Sequence, residues 1–300
     1  MKNGERIYHL VALITVSIWG TTFISTKVLL SYGLGPADIL FYRFLMAYAG
    51  IWIWAKGKLF ANSVRDELMM LGCGVCGGSL YFVTENTALG ITLASNVSVL
   101  LCTAPILTAF LSHLLIKGER LGKTLIAGSL IALVGVAMVV YNGHFVLHIS
   151  PLGDFLTFVA ALSWAFYNIL LKKLEGRYST FFITRKVFFY GILTMLPCFL
   201  TRPLVYDAGI LFRPVVAANL LFLGLIASML CFIAWNSTVR KLGTIRSTNY
   251  IYITPLVTLI TSYIVLDEVI TSTAILGMVL VLVGVRLAEK GWNRFFSFRS

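Results

Sequence analysis

The sequence is poor in charged residues, and in acidic residues above all. Only 12% of its 300 residues are charged, and the 12 Asp and Glu are half as numerous as the 24 Lys and Arg. A soluble domain carries about 25% charged residues, so this scarcity excludes a soluble enzymatic or receptor module. Hydrophobic residues make up 59% of the chain and the mean hydropathy is +0.90, which indicates an integral membrane protein.

The sequence also lacks the signature motifs of nucleotide-driven pumps and of many enzymes. It contains no Walker lysine-serine loop, no Rossmann glycine fingerprint and no HExxH, so neither ATP drive nor zinc hydrolysis is supported. The five cysteines all fall within apolar stretches, so a disulfide framework is not expected. No metal or other cofactor is predicted.

Ten apolar stretches approach the length of about 20 residues that a membrane-spanning helix needs. The first has no small-residue cleavage site and is expected to remain as a helix. The stretches run approximately 8–30, 37–55, 68–88, 93–116, 122–141, 152–172, 182–201, 214–239, 246–266 and 271–288. The sequence therefore predicts an all-α integral membrane protein with ten transmembrane helices.

The positive charge is distributed unevenly between the loops on the two sides of this predicted bundle. With a cytoplasmic N-terminus, nearly all of the 24 Lys and Arg fall in cytoplasmic segments, whereas the outer loops hold only Arg202 and Arg213. This bias follows the positive-inside rule. It predicts a multi-pass protein of the plasma membrane, the inner membrane in bacteria, with both termini cytoplasmic. The charge sets orientation, and no nucleic-acid partner is predicted.

The second half of the sequence repeats the first at an offset of 149 or 150 residues. The matched positions are Phe82 and Phe232, Asn86 and Asn236, Pro105 and Pro255, Glu119 and Glu268, Gly128 and Gly277, and Gly135 and Gly284. Because each half has an odd number of helices, the two five-helix repeats, 8–141 and 152–288, are expected to be inverted. Duplicated bundles with a site at the repeat interface are a common build of secondary transporters, which makes transport the leading hypothesis.

Short motifs follow a fixed order along both halves. They are Trp19-Gly20-x-x-Phe23-x-x-x-Lys27, Arg43-Phe44-Leu45, Glu85-Asn86-Thr87-Ala88-Leu89, Ala94-Ser95-Asn96, Gly118-Glu119-Arg120-Leu121, Ala161-Leu162-Ser163-Trp164-Ala165 and Asn249-Tyr250. In this order they resemble the EamA type of the drug/metabolite transporter superfamily, over nearly the whole chain. The resemblance implies ten helices around a central cavity that moves small metabolites, often amino acids and usually outward, by alternating access. The second half departs from the first at Trp235, which stands in the place of Glu85.

Three ionisable residues, Lys27, Arg43 and Glu85, fall inside predicted spans at a similar depth. A charge at the bilayer centre costs roughly 2.5–3.5 kcal/mol on insertion scales and is retained where it pairs or lines a cavity. Together the three sum to one spare positive charge, which could receive a substrate carboxylate. The structural alternative is that Glu85 neutralises one cation while the other extends to the interface. Because burial favours the uncharged form of a carboxyl, Glu85 is also a candidate proton carrier.

Aromatic and amide side chains complete the predicted substrate-binding set. The additional members are Trp19, Asn86, Trp164, Tyr167, Trp235, Asn236 and Tyr250. Aromatic faces bind apolar groups or cations with few specific hydrogen bonds, which fits broad substrate tolerance. The same residues could instead tie helices together, pack the core or lie at the lipid interface. Pro105 and Pro255 are predicted to bend spans four and nine at matched positions, as hinges or as static kinks.

Several functions are compatible with this pattern. The leading hypothesis is a secondary exporter of small metabolites, with amino acids or related carboxylates as first choice. The alternative within transport is a multidrug or organic-cation exporter in which Glu85 binds the cation directly. An intramembrane enzyme acting on lipid is disfavoured by the lack of a clustered acid–base or metal set, and saturable counterflow would exclude a channel. The expected partners are a small-molecule substrate and the lipid bilayer. Since one chain contains both repeats, a monomer could suffice.

Overall fold

The computed structural model describes residues 3–55, 57–92, 94–116, 122–141, 150–266 and 271–290, and within these ranges all regular structure is helical. We number ten helical segments in chain order; a short helix, Ala208–Leu211, precedes the eighth. They are α1 (Asn3–Ser31), α2 (Pro36–Ile51), α3 (Val64–Ile91), α4 (94–115), α5 (Lys123–Tyr141), α6 (Pro151–Leu174), α7 (Thr180–Leu200), α8 (Pro214–Leu242), α9 (244–266) and α10 (Ser272–Lys290).

The segments differ in length and continuity. Among the described residues, α1, α3, α6, α7 and α8 each contain a helix long and apolar enough to cross a membrane, and α5, α10 and the second part of α4 contain shorter apolar helices. The predicted all-helical membrane bundle is confirmed, but the prediction of unbroken spans is wrong for two segments. α4 is divided into Ala94–Leu101 and Ala104–Leu115. α9 is divided into Thr244–Thr248, a 3-10 turn at Asn249–Ile253, and Thr254–Leu266.

The two matched prolines explain where these breaks fall. Pro105 and Pro255 each lie in the first turn of the helix that follows the break, not inside a continuous bent helix as the sequence analysis predicted. Proline lacks an N–H and its ring clashes with the carbonyl four residues earlier, so a regular helix cannot run through it. In a first turn the missing N–H is harmless, because that group has no acceptor within the helix.

α3 and α8 share a different irregularity at repeat-equivalent positions. Each widens into a π-helical turn, at Val75–Ser79 in α3 and at Phe222–Leu230 in α8. Glycines in these turns allow close approach of neighbouring helices: a Cβ on Gly77 would lie 2.5 Å from the ring of Tyr167 in α6.

The two halves pack on each other reciprocally. α2 packs on α8 and α3 packs on α7, as expected when α7 and α8 are the inverted counterparts of α2 and α3. α5 pairs with α10 along a glycine seam, where a Cβ on Gly135 would lie 2.6 Å from the backbone nitrogen of Val281. Small residues are what allow such close backbone contact in lipid. The predicted helix-start carboxylates Glu119 and Glu268 lie outside the described residues.

Candidate functional site

A cavity lies in the middle of the bundle, between the two halves. Its walls come from α1, α2, α3 and α4 of one half and from α6, α8 and α9 of the other. The space not filled by atoms is about 600 Å³, a figure that includes the open mouth of the cavity. Both broken helices reach it, since Leu101 and Ala104 flank the break in α4 and Ile251 and Thr254 flank that in α9. Discontinuous helices at a repeat interface are typical of transporter binding sites.

The start of α2 is fixed by a local cap. Pro36 occupies the first turn of α2, and the Asp38 carboxylate accepts hydrogen bonds from the backbone N–H of Gly35 at 2.6 Å and from that of Val205 at 3.1 Å. A carboxylate in the first turn also interacts favourably with the helix dipole. This cap sets the position of Arg43, which lies about 10 Å along α2 from its start at a 1.5 Å rise per residue.

The polar wall of the cavity is built by α2 and α3. Arg43 is buried, its Nε donates to Oγ of Ser228 at 2.8 Å, and its guanidinium carbon lies 4.1 Å from the centre of the Phe82 ring. Glu85 is also buried and accepts a hydrogen bond from the Tyr81 hydroxyl at 2.9 Å. Arg43 and Glu85 attract each other electrostatically, although within the described residues they form no direct ion pair. The wall therefore presents one positive and one negative group to the same space.

Another part of the cavity wall is aromatic. The Trp19 and Trp164 ring centres are 5.2 Å apart, and the Phe232 ring lies 6.1 Å from Trp19 and 5.9 Å from Trp164. All three pairs are edge-to-face, the arrangement that aromatic quadrupoles favour. Trp19 donates through Nε1 to the Ala227 carbonyl at 3.0 Å, in the π turn of α8. Trp164 Nε1 has no hydrogen-bond partner among the described residues.

Four of the predicted binding residues, Trp19, Arg43, Glu85 and Trp164, thus line one cavity. Lys27 differs from the prediction. Its ammonium lies at 3.3 Å from the Thr92 carbonyl, at the end of α3, and it is not part of the cavity wall. Lys27 lies about 6 Å beyond Phe23 along α1, and its long side chain extends further toward the end of the helix.

Three more predicted binding residues lie behind the cavity wall, in a buried hydrogen-bond network. The Tyr167 hydroxyl donates to Oδ1 of Asn236 at 2.7 Å, and Asn236 Nδ2 donates to Thr184 at 2.9 Å. Trp235 Nε1 donates to Oδ1 of Asn168 at 3.1 Å. These bonds tie α6, α7 and α8 together, so Tyr167, Trp235 and Asn236 support the cavity without lining it.

The remaining two predicted residues also join helices. Asn86 Nδ2 donates to the Pro36 carbonyl at 3.2 Å, which links α3 to the start of α2. The Tyr250 hydroxyl lies 2.6 Å from Nδ1 of His9, which links α9 to α1. Neither residue lines the cavity. Both side chains therefore match the alternative in which these residues tie neighbouring helices together.

Sequence reasoning missed several residues of the cavity wall. Phe82 and Phe232 were recognised as repeat markers but not as binding residues, although they lie one turn before the matched asparagines. Ser98 and Thr254 add hydroxyls next to the two helix breaks. The matched prolines that follow these breaks were the available signal, because a broken helix in a membrane bundle leaves backbone groups that only a polar surrounding can satisfy.

A group of ion pairs joins the two halves at the end of the bundle where α2 ends and α3 begins. Asp66 pairs with Arg177, and Glu67 pairs with Lys186; we call these four residues the α3–α7 ion-pair cluster. Tyr178, in the turn between α6 and α7, donates to Asp66 at 2.7 Å. Burial, and then this hydrogen bond, raise the pKa of the Tyr178 phenol.

The acidic residues of this cluster do not form a metal site. The part of the chain that the structure describes contains no group of three or more His, Cys, Asp or Glu placed to hold a metal ion. Asp66 and Glu67 each have a cation beside them. We therefore assign them to holding the halves together.

An all-helical bundle of two repeats with a cavity between them is typical of multi-pass membrane transporters. The chain belongs to the EamA-like transporter family, whose model matches residues 6–141 and 151–288. A solved structure superposes with a TM-score of 0.73 at 17% sequence identity, over 95% of this chain and 97% of the other, which shows the shared fold.

Curated relatives align with this chain over nearly their whole length. A probable terminal-alkyne amino-acid exporter of Streptantibioticus cattleyicolor is 29% identical, over 97% of this chain and 95% of its own. An uncharacterized transporter of Archaeoglobus fulgidus is 28% identical, over 93% and 96%. A probable amino-acid metabolite efflux pump of Escherichia coli K12 is 25% identical, over 94% and 95%.

Proposed function

We propose that this transporter exports small metabolites, with amino acids and related carboxylates first among them, by alternating access across the bacterial inner membrane. The observation that carries the proposal is that Arg43 and Glu85, one positive and one negative group, lie on the same cavity wall. An amino acid carries one positive and one negative group close together. Its carboxylate would bind the guanidinium of Arg43 and its ammonium would bind Glu85.

The free hydrogen-bonding capacity of Arg43 supports this assignment. A guanidinium has five N–H donors, and the only side-chain hydrogen bond of Arg43 within the described residues is the one from Nε to Ser228. The Nη donors are left for a ligand, and they form the fork that binds a carboxylate through two parallel hydrogen bonds. Packing of the guanidinium over Phe82 holds it in place without using those donors.

The ion-pair cluster supports a state closed at one end. Arg43, Glu85 and Ser98 lie toward the end where α1 ends and α2 begins, which the positive-inside rule assigns to the outside. The α3–α7 ion-pair cluster joins the halves at the opposite end, which the same rule assigns to the cytoplasm. In the proposed cycle this cluster separates when the cavity opens inward.

The names of the relatives agree with this substrate class. Two of the aligned relatives are named as a probable amino-acid exporter and a probable amino-acid metabolite efflux pump. At 25–29% identity these names support amino acids as the first compounds to test.

The test is a competition assay in sealed proteoliposomes containing the purified protein. Counterflow of a labelled amino acid is first found with a panel, and three analogues of that substrate are then added: the N-acetyl acid, the carboxamide and the methyl ester. The proposal predicts that the parent zwitterion competes best and that removing either charge weakens competition at least tenfold, because each buried charge on the wall then loses its partner. Equal competition by the N-acetyl acid and the parent would contradict the role of Glu85.

A second candidate, an organic-cation exporter, is favoured by one specific observation. Glu85 lies beside the rings of Tyr81 and Trp164, whose centres are 5.1 Å apart, and a carboxylate among aromatic faces suits a lipophilic cation. The same assay separates the two candidates. If the methyl ester, a cation, competes better than the parent amino acid, the organic-cation function is the correct one.

A further inference from the structure

Trp164, a residue of the cavity wall, carries a buried indole N–H that has no acceptor among the described residues. Trp164 is 4% exposed and lines the cavity, and its Nε1 has no hydrogen-bond partner among the described residues. An indole nitrogen can only donate. Leaving such a donor unpaired in a buried site is unfavourable, so native structures seldom keep one without a role.

The other tryptophan of the cavity wall, Trp19, uses its N–H in a contact between helices. Trp19 in α1 donates to the Ala227 carbonyl at 3.0 Å, in the π turn of α8. The corresponding contact between α6 and the π turn of α3 is made by a different residue, since Ser163 Oγ donates to the Cys76 carbonyl at 2.8 Å. The helix contact is therefore satisfied by Ser163, and Trp164 keeps its donor.

A third tryptophan in the same cluster leads to the same conclusion. The Trp235 ring centre lies 5.9 Å from that of Trp164, and its Nε1 is paired with Asn168. Trp19 and Trp164 both line the cavity, and of the three neighbouring indoles only that of Trp164 has no acceptor among the described residues. Packing in the aromatic cluster therefore does not prevent an indole N–H from finding an acceptor, and the unpaired donor belongs to a residue of the cavity wall.

We propose that Trp164 Nε1 donates a hydrogen bond to an acceptor on the substrate side chain, so that the transporter selects amino acids with a large apolar or aromatic side chain that carries one acceptor oxygen. This inference rests on the proposed function, in which Arg43 and Glu85 hold the two charges of the substrate. Trp164 lies with Trp19 and Phe232 on the aromatic wall, where the substrate side chain would lie.

The physical basis for selection is the difference between a paired and an unpaired polar group. An apolar site without a donor rejects a hydroxyl, because the hydroxyl loses its water on entry. A site with a donor of its own replaces the lost water by a hydrogen bond to the substrate hydroxyl. When the substrate lacks the hydroxyl, the donor of the site is left unpaired, so that substrate binds less well. Tyrosine and phenylalanine differ by such a group, and O-methyltyrosine keeps the acceptor oxygen while losing its donor.

The experiment measures apparent affinities of these three amino acids in counterflow with the full-length protein. Trp164 is replaced by 3-benzothienylalanine, which keeps the shape of the indole and lacks the N–H, and Trp164→Phe is prepared as a second variant. The wild type is expected to bind tyrosine and O-methyltyrosine at least as well as phenylalanine. Both variants are expected to shift the tyrosine-to-phenylalanine ratio about tenfold toward phenylalanine, the usual effect of one hydrogen bond in a buried site.

The matched control is the same benzothienyl replacement at Trp19, whose N–H is used by the Ala227 carbonyl. This variant is expected to keep the wild-type ratio whatever its absolute rate. An unchanged ratio in the Trp164 variants, or an equal shift in the Trp19 variant, would overturn the inference while leaving amino-acid transport intact. Failure of the wild type to exchange any amino acid would instead overturn the proposed function, and this inference with it.

Discussion

At the scale of single residues, Arg43 is the most constrained group of the cavity. It is a charged side chain held 2% exposed by a hydrogen bond to Ser228 and by the face of Phe82. These two contacts depend on the planar shape of the guanidinium group, which an ammonium group lacks. The residue therefore contributes shape as well as charge to the site.

Arg43→Lys is expected to raise the KM for amino acids about tenfold or more with a smaller change in the maximal rate. Lysine keeps the charge but cannot bind Ser228, Phe82 and a carboxylate at once. The measurement is the concentration dependence of counterflow in proteoliposomes. The control is Lys27→Gln, because Lys27 is not part of the cavity wall, and we expect a much smaller effect there. A larger effect at Lys27 would assign the substrate carboxylate to Lys27 and contradict its assignment to Arg43.

Glu85→Gln is expected to remove the response of transport to a pH gradient while exchange persists with a raised KM. A carboxyl in a dry cavity can carry a proton in its neutral form, and an amide cannot. Acidifying the side opposite to the substrate should therefore speed net efflux by the wild type and not by the variant. Glu175→Gln, in an ion pair with Lys172 at the end of α6, is the control. A pH response that survives in Glu85→Gln would exclude Glu85 as the proton carrier.

The sequence was informative about some site residues and not about others for a physical reason. Arg43 and Glu85 were predicted from the sequence because a charge inside an apolar span needs a partner or a cavity, and both line the cavity. Tyr167, Trp235 and Tyr250 were assigned to the cavity but lie outside its wall. A membrane helix that is apolar on all sides has no polar face, so its rotation about its own axis cannot be read from hydropathy.

At the scale of helices, the contact between α3 and α7 joins charge to charge across the two halves. Glu67 also accepts hydrogen bonds from the Tyr190 hydroxyl and from the backbone N–H of Ala61. The Glu67 carboxylate thus links α3 to the loop that precedes it and to α7. Such a contact is stable only while the two halves stay together at this end.

Neutralising both members of one pair, Glu67→Gln with Lys186→Gln, is expected to open this end more often. We expect faster labelling of Ile183→Cys, which is buried in the first turn of α7 and lies three residues before Lys186, by a membrane-impermeant thiol reagent added from the cytoplasmic side. The double change leaves no unpaired charge, so folding is not the cause of the effect. Lys172→Gln with Glu175→Gln, a pair within one half, is the matched control. Equal labelling rates in the two backgrounds would contradict the role of the cluster.

The α5–α10 seam leads to a stability prediction. Gly135→Ala is expected to lower the thermal unfolding temperature of the detergent-solubilised protein by several degrees, because the added Cβ would lie 2.6 Å from the backbone of Val281. Gly90→Ala, where a Cβ meets nothing within 4 Å, is the control and should be neutral or slightly stabilising. Equal thermal stability of the two variants would show that the seam can relax.

Helix continuity was the part of the fold that the sequence left open. Length, hydropathy and repeats were sufficient to predict the bundle and its two halves. Pro105 and Pro255 were read as bends, yet each starts a new helix after a break. Whether a proline bends a helix or ends it depends on whether the surrounding helices satisfy the freed backbone groups, and that information is tertiary.

At the scale of the whole molecule, the inverted repeat builds a nearly symmetric frame around an asymmetric site. Glu85 has no acidic counterpart, since Trp235 stands at the equivalent position and is hydrogen-bonded behind the wall. In the proposed cycle, this frame would alternate between two similar states, and a single carboxylate would serve both. One chain supplies every wall of the cavity, so we expect the monomer to be sufficient for transport.

The most direct test of this account is counterflow of labelled amino acids by the charge-balanced double variant Arg43→Gln with Glu85→Gln, beside the wild type. Because both charges are removed together, neither is left buried without its partner, and the variant should fold. We predict saturable exchange by the wild type and no measurable amino-acid exchange by the variant, with equal amounts of folded protein. Wild-type exchange that persists with the same KM in the double variant would contradict the assignment of the site.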